Sequence, residues 1–397
     1  MASKNVVLGV TGGIAAYKAL DVVSRLKKNG FNVDVIMTKS AVEFVNPISF
    51  QSLSGNPVIT DMFEEPKAWE IQHISLAKKA DLLIVVPATA NIIGKVANGI
   101  ADDMLSTTIM AAALRCPVIF AAAMNTYMYE NPIVQDNIKK LQSYGYSFVE
   151  PETGRLACGD TGKGKLCDTE TISEIISSKL YDIKDLKGKK VMVTAGPTIA
   201  PIDPVRYITN RSTGKMGYAI AEEARDRGAK VTLISGETNL KFPFGVDVIK
   251  VTTNEEMLKA VLDNFSYSDI VVKAAAVSDY KAKNYSNKKI KKSEDNLNID
   301  FVKDNDILKK LGEIKETQVL VGFAAESNDL IENAISKLQR KNLDYIVAND
   351  ITASDTGFAS DDNKVFIISK DKDILELNKM SKRNVARELF NLINKKR

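Results

Sequence analysis

Residues 5–37, NVVLGVTGGIAAYKALDVVSRLKKNGFNVDVIM, decide the fold class. Asn5–Val10 is an apolar run that predicts a strand, and Gly12-Gly13 a turn. Ile14, Tyr17, Leu20/Asp21 and Leu26 then mark successive helical turns until Gly30 stops the helix. Phe31–Met37 predicts the next strand. Leu82–Val86 and Val118–Ala121 repeat the scheme, each followed by a polar loop and helical sequence. Uninterrupted apolar strands alternating with helices predict a parallel sheet covered on both faces. Residues 151–168, PETGRLACGDTGKGKLCD, break the pattern. Gly-rich and without an apolar period, they predict a long loop, and such a loop inside a compact domain is usually functional. A helix over about Ile172–Leu180 follows, and then the polar stretch YDIKDLKGKK at 181–190. The alternation restarts at Lys190 with VMVTAGPT, a long loop, GKMGYAIAEEARDRG and AKVTLISG. The chain therefore reads as two α/β domains on parallel sheets, 1–183 and 184–397.

The 397 residues are 45% hydrophobic and 26% charged, which suits a soluble globular chain of two or three domains. One histidine and three cysteines nearly exclude a His/Cys zinc cluster and any fully paired disulfide framework. The cysteine usage points to a reducing compartment. The net charge of +4, spread along the chain, suits anionic small molecules rather than nucleic acid. The most apolar stretch, Leu105 to Met124, is broken by Arg115 and Pro117, so no membrane span is expected. Lys4 followed by VVLGVTGGIAA mimics a signal peptide but runs on into helical sequence and another strand, so it reads as folded structure. The expected location is the cytoplasm.

Parallel sheets bind ligands at the loops leaving one edge. Those loops carry Thr11–Ala15, Met37–Ala41, Pro87–Asn91 and Asp103–Thr108. Gly12 and Gly13 let backbone N–H groups approach a phosphate at a helix N-terminus. Ordinary turns and helix caps would use the same residue types. Neither Gly12 nor Gly196 begins a G-x-G-x-x-G motif, and Gly214-Lys215 is followed by Met216 rather than Ser or Thr. A generic dehydrogenase and a P-loop ATPase are both disfavoured.

The set TGGIAAYK, HISLAKKADLLIVVPATAN, AMNTYMY and ACGDTGKGK resembles the flavin-dependent cysteine decarboxylases that act on 4'-phosphopantothenoylcysteine. The resemblance implies a flavodoxin-like first domain with FMN held by Gly12, Gly13, Ile14, Ala15, Thr38, Pro87, Ala88, Thr89, Asn91 and Ser106. It also implies a trimer with each flavin between subunits. His73 matches the family's catalytic histidine, Asn125 the asparagine that binds the substrate carboxylate, and Cys158 the active cysteine. Decarboxylating a cysteine amide needs an electron sink, and oxidising the thiol to a thioaldehyde creates one. A base must take the thiol proton near neutral pH, which suits imidazole, whose unperturbed pKa is ~6.5. Asn125 can orient a carboxylate through its amide N–H without adding charge. Cys158, on its Gly-rich segment, would serve when electrons return to the enethiol. Cys116 and Cys167 read as incidental. Lys95 and Lys165 stand where relatives often carry Arg, and are expected near the substrate's phosphate. Ala122 and Tyr129 depart from the family's Pro and Trp around the AMN motif.

TAGPTIAPIDPVRYITNRSTGKMG, KAAAVSDY, KKIKK, VKDNDI, VGFAAES, KLQRKNLD and VANDI resemble the CTP-using phosphopantothenate–cysteine ligases. These occur fused behind the decarboxylase, whose substrate they make. The implied partners are 4'-phosphopantothenate, L-cysteine and CTP with Mg²⁺, and the implied intermediate is an acyl-cytidylate. Neutralising a triphosphate while a carboxylate approaches calls for Lys, Arg and a divalent cation. Lys289 is the candidate flap lysine, although the run 288–292 also reads as a solvated loop. Asn210 matches the residue that hydrogen-bonds the acyl-cytidylate, with Arg206 expected one helical turn before it. Ala275, Asp279, Phe323, Lys337 and Lys341 match nucleotide contacts, and Asp279 is also the candidate Mg²⁺ ligand. Lys303-Asp304-Asn305-Asp306 departs from the family's Lys-Asn-Pro-Asp. A homo-oligomer of trimeric first domains and dimeric second domains is expected. Related flavoproteins decarboxylate peptide cysteines, prenylate flavin or regulate phosphatases; the attached ligase half and the basic C-terminal NKKR argue against those roles.

Overall fold

The computed structural model describes residues 3–62, 71–291, 297–326, 329–350 and 360–395. The chain divides into two compact units, Met1–Leu180 and Tyr181–Arg397. Among the described residues, the first unit holds β1 (Asn5–Val10), β2 (Asn32–Met37), β3 (Val58–Ile59), β4 (Leu82–Ala88), β5 (Val118–Ala122) and β6 (Ser147–Val149). They form one parallel sheet in the order β3-β2-β1-β4-β5-β6. Side chains alternate across a strand, so Val6, Leu8 and Val10 enter one core and Val7 the other, as do Leu82/Ile84 and Leu83/Val85 of β4. Every residue of β4 is buried. This double covering explains the unbroken apolar runs in the sequence.

The helix Lys18–Lys28 buries Ala19, Val22, Val23 and Leu26 and is preceded by a 3-10 turn, Ile14–Tyr17. Ile14 and Tyr17 are 63% and 57% exposed. The sequence spacing counted both among the turns of one helix; they lie instead in the tighter 3-10 turn before it.

Residues 151–168 are not a plain loop. β7 (Glu152–Arg155) and β8 (Thr161–Lys165) pair antiparallel as a flap. Gly162 and Gly164 serve close approach. A Cβ on Gly164 would lie 2.2 Å from the Met124 carbonyl oxygen, and the Gly164 carbonyl accepts from Met124 N–H at 3.0 Å.

The second unit holds β9 (Lys190–Ala195), β10 (Ile199–Pro201), β11 (Tyr207–Thr209), β12 (Lys230–Ser235), β13 (Asp247–Lys250), β14 (Ile270–Lys273), β15 (Tyr280–Ala282), β16 (Phe301–Lys303), β17 (Val319–Glu326), β18 (Tyr345–Asp350), β19 (Asp362–Ser369) and β20 (Ile374–Ser381). The main sheet runs β13-β12-β9-β14-β17-β18-β19-β20. It is parallel as far as β18, after which β19 and β20 are antiparallel additions. β10–β11 and β15–β16 are short antiparallel arms.

The sequence suggested a division after residue 183, but residues 181–187 pack with the second unit. Tyr181 Oη donates to Glu223, Leu186 is fully buried, and its N–H donates to the Arg227 carbonyl at 3.1 Å. Arg227 is itself fully buried. Its guanidinium reaches Glu223 at 2.8 Å, Asp185 at 3.0 Å, Asn391 Oδ1 at 2.7 Å and the Arg387 carbonyl at 3.0 Å. No helix among the described residues is long and apolar enough to cross a membrane.

Candidate functional sites

In each sheet the strand order reverses between two central neighbours, β1/β4 and β9/β14, where open α/β sheets bind ligands. Each unit has a cavity there.

The first cavity measures about 1010 Å³. Thr11 is 2% exposed; its hydroxyl donates to the Pro87 carbonyl at 2.7 Å and accepts from Thr89 N–H at 3.3 Å. That pair ties the loop after β1 to the loop after β4. Thr38 caps the next short helix by accepting from Ala41 N–H. Gly12 sits so close to Ser40 that a Cβ would lie 2.4 Å from the serine Cβ. Of the expected flavin residues, Gly12, Gly13, Ile14, Ala15, Thr38, Pro87, Thr89 and Asn91 line the cavity. Ala88 and Ser106 do not: both are fully buried, and Ser106 completes a capping box with Asp103. This side-chain set, with Ile92, Met124, Met128 and Leu156 on the walls, fits a phosphate-bearing, flat, largely apolar group. The glycine approach and surrounding hydroxyls suit the phosphate end.

Asn125 and Cys158 meet in the same cavity. Asn125 caps its helix by accepting Tyr127 N–H on Oδ1 at 2.9 Å, which fixes the amide so that Nδ2 faces the flap. Nδ2 lies 3.5 Å from Cys158 Sγ and 3.4 Å from Asp160 Oδ2, and Cys158 Sγ lies 3.4 Å from that same oxygen. Asp160 was not singled out from the sequence, although it is the last residue of ACGD. Arg155 and Lys18 also line the cavity without having been anticipated. Lys95 lines it too, with its ammonium 2.6 Å from Asp102 and 2.8 Å from Asp103. Burial opposes that charge, but the two carboxylates outweigh it and hold the lysine's pKa above the ordinary value. Lys165 is 3.4 Å from Glu152. His73 stands in the first turn of the helix Gln72–Lys79, half-buried, and does not line this cavity.

The second cavity is about 350 Å³ and gathers Asn210, Ala275, Asp279, Phe323, Lys337 and Lys341. Asn210 Nδ2 donates to the carbonyls of Ala276 and Val277, both at 3.1 Å. Lys337 donates to the Phe323 carbonyl at 3.1 Å, and Lys341 lies 2.8 Å from Asp306. Lys273, which the sequence reading missed, ends β14 at the cavity wall. Burial, reinforced by Lys337 and Lys341, lowers its pKa to about 7. A strand-end lysine after an apolar run was the available signal.

Arg206 and Lys289 do not line this cavity. Arg206 is not a helical turn before Asn210, because β11 carries the intervening residues in extended form. Its guanidinium clamps Asp203 at 2.6 and 3.0 Å and donates to the Ile290 carbonyl at 2.8 Å. Asp203 in turn accepts Ile290 N–H at 3.1 Å. That guanidinium and the converging N–H groups hold the Asp203 carboxyl well below the usual range. The pair thus fixes the segment bearing Lys289, which is exposed. Lys292, at the end of the same run, lies outside the described residues. Asp279 is exposed at the cavity rim, and no group of three or more His, Cys, Asp or Glu that could hold a metal occurs among the described residues.

Two sheets, one parallel and one parallel as far as β18, each opening a cavity at its order reversal, make this a two-centre α/β enzyme. Residues 1–181 match the flavoprotein family, and residues 186–396 match the DNA/pantothenate metabolism flavoprotein C-terminal domain. The chain is 50% identical over 391 residues to the coenzyme A biosynthesis bifunctional protein CoaBC of Bacillus subtilis (strain 168), covering 98% of this chain and 96% of the relative. It is 44% identical over 394 residues to the CoaBC protein of Borreliella burgdorferi, covering 98% and 99%. A crystal structure of the C-terminal domain of a CoaBC protein aligns at 42% identity and a TM-score of 0.46, over 53% of this chain and 96% of that one. The chain belongs to the bifunctional coenzyme A biosynthesis family.

Proposed function

We propose that the second unit couples cysteine to 4'-phosphopantothenate through an acyl-cytidylate formed from CTP, and that the first unit decarboxylates the product to 4'-phosphopantetheine. The observation that carries this reading is the meeting of Asn125 and Cys158 over a cavity with a glycine and hydroxyl cradle. Gly12, Gly13, Thr38 and the Pro87–Asn91 loop would hold FMN, which supplies two-electron oxidation of the substrate thiol. Asn125 directs a neutral N–H toward the substrate carboxylate, so it orients the group without adding a charge that resists its departure as carbon dioxide. Cys158, on the flap, supplies a proton when the enethiol is reduced. His73 accepts the thiol proton. Its absence from the cavity of its own chain supports the trimer in which a neighbouring copy brings it to the flavin.

In the second unit, Asn210 lies beside the backbone of 276–277, where it would meet the activated carboxylate. Lys273, Lys337 and Lys341 concentrate positive charge where CTP would lie, and charge fixed in place before reaction stabilises a transferring phosphoryl group. Mg²⁺ would be held by the nucleotide's phosphates together with Asp279. Lys289 would close from its anchored segment, in an assembly whose second units pair as dimers.

The test is incubation with phosphopantothenate, cysteine, CTP and Mg²⁺, followed by mass spectrometry. Phosphopantetheine with stoichiometric pyrophosphate is expected. Coupling that proceeds without CTP, or a ligated product that never loses carbon dioxide, would refute the corresponding half.

A further inference from the structure

The tip of the flap carries a carboxylate, Asp160, to which the assignments above give no role. Residues 156–160 form a closed turn. Leu156 N–H donates to the Asp160 carbonyl at 2.8 Å, and Gly159 N–H to the Leu156 carbonyl at 3.0 Å. Gly159 makes this turn at a φ of 95°, which costs glycine little and other residues much. Cys158 and Asp160 are thus carried by one unit, and both side chains reach Asn125. Its Nδ2 has two hydrogens to give. It meets Cys158 Sγ at 3.5 Å and Asp160 Oδ2 at 3.4 Å, while the thiol donates to that same oxygen at 3.4 Å.

The base of the flap is pinned to the segment bearing Asn125. Met124 N–H donates to the Gly164 carbonyl at 3.0 Å, and a Cβ on Gly162 would lie 2.5 Å from Thr126 Oγ1. The tip, by contrast, rests on Asn125 through contacts at the long end of the hydrogen-bond range, which exchange most readily. The Asn125 amide is also the group that the decarboxylase reading gives to the substrate carboxylate. In the structure a carboxylate already sits on that amide, and it is the one of Asp160. Two carboxylates on one amide repel each other.

We propose that Asp160 is a positioning residue that takes the Asn125 amide in turn with the substrate carboxylate, and so sets the order of the two half-reactions. The inference rests on the decarboxylase reading. While substrate holds the amide, Asp160 is displaced, and the closed turn takes Cys158 away with it. The thiol proton is thereby kept from the reacting carbon until carbon dioxide has left. Its departure frees the amide, Asp160 returns, and Cys158 comes back over the enethiolate. The carbon that lost carbon dioxide then takes the Cys158 proton, which restores a thioaldehyde. The hydride removed in the first step returns to the thioaldehyde carbon. The product sulfur regains the proton held by His73, and the Cys158 thiolate takes one from solvent.

The full-length, flavin-loaded chain is mixed with phosphopantothenoylcysteine while flavin absorbance is followed by stopped flow, and products are identified by mass spectrometry. Asp160→Ala is expected to bleach the flavin at close to the wild-type rate but to recolour it about 10-fold or more slowly. The enethiol, two hydrogens short of phosphopantetheine, should then be released. Asp160→Glu should restore part of the second step. Binding is read separately by calorimetry with phosphopantothenoylserine, which has no thiol to oxidise. Asp160→Asn keeps the shape and removes the charge, so it should bind this carboxylate several-fold more tightly and bind the corresponding carboxamide unchanged. Recolouring at the wild-type rate in Asp160→Ala, equal slowing of both half-reactions, or unchanged affinity of Asp160→Asn for the carboxylate overturns the proposal. A wild-type chain whose flavin never bleaches overturns the decarboxylase reading itself.

Discussion

At the scale of single residues, the chemistry rests on groups whose orientation the backbone fixes. Gly164→Ala would press a methyl into the Met124 carbonyl, a clash of the kind that costs about 1–3 kcal/mol. Differential scanning of the variant should show a lower melting temperature, and because the clash displaces the flap, decarboxylation should fall while FMN fluorescence quenching on binding is kept. Lys273 makes a pH signature. Its folded pKa of about 7 lies below the 10.5 of a free lysine, so between those values the unfolded chain binds the extra proton. The cost of burying the charge is full below pH 7 and is relieved as pH rises toward 10.5. A polyanionic ligand reverses the preference. CTP binding at pH 8 should therefore take up protons, seen as a dependence of the calorimetric heat on buffer ionisation enthalpy, and Lys273→Met should remove most of that uptake. Asn125 and Cys158 were readable from short motifs. Asp160 was in plain view within ACGD, but only the antiparallel pairing of the flap brings its carboxylate back against both.

At the scale of elements, strands were legible wherever both faces are buried, because β1, β4 and β5 leave unbroken apolar runs. The flap was not, since of β7 and β8 only Gly164 is buried, and neither ETGR nor TGKGK carries an apolar alternation. The arm β10–β11 was hidden because each of its strands is only three residues long, too short for a pattern, and with it the Arg206–Asp203 clamp. Arg206 holds the 283–291 segment through Ile290 rather than reaching the cavity. Arg206→Lys loses the two-pronged grip on Asp203. Limited proteolysis should then cut within 283–291 several-fold faster, and KM for CTP should rise more than kcat falls. A loop cut at the wild-type rate would count against this anchoring. The buried Arg227 cluster is a stability element. Arg227→Met would take one of two guanidinium partners from Glu223, which keeps Arg383 at 2.8 Å, and leave Asp185 to water, a loss of about 1–3 kcal/mol that urea unfolding monitored on the second unit would report.

At the scale of the whole molecule, the sequence conveyed two α/β units and placed their division within a few residues. It could not convey the order of the strands, which depends on pairings between distant segments. That order puts both cavities at equivalent reversals. It leaves His73 outside the cavity holding Asn125 and Cys158, which gives a test of assembly. Co-expressed His73→Asn and Cys158→Ser chains, each inactive as decarboxylases alone, should recover a substantial fraction of activity in mixed oligomers, because one interface can combine an intact histidine with an intact cysteine. No recovery from verified mixed oligomers would place the histidine's partner site within its own chain. The Arg227 cluster also has a consequence for biosynthesis. Its partners run from Asp185 at the start of the second unit to Asn391 on the last described helix. As the nascent chain emerges, the first unit has all its strands by residue 180 and is free to fold. The second carries an arginine that lacks two of its partners, the Arg387 carbonyl and Asn391, until residue 391 has left the ribosome. Its folding is thus held back until nearly all of its sequence has been synthesised, so interrupted chains should remain recognisably open to cellular quality control.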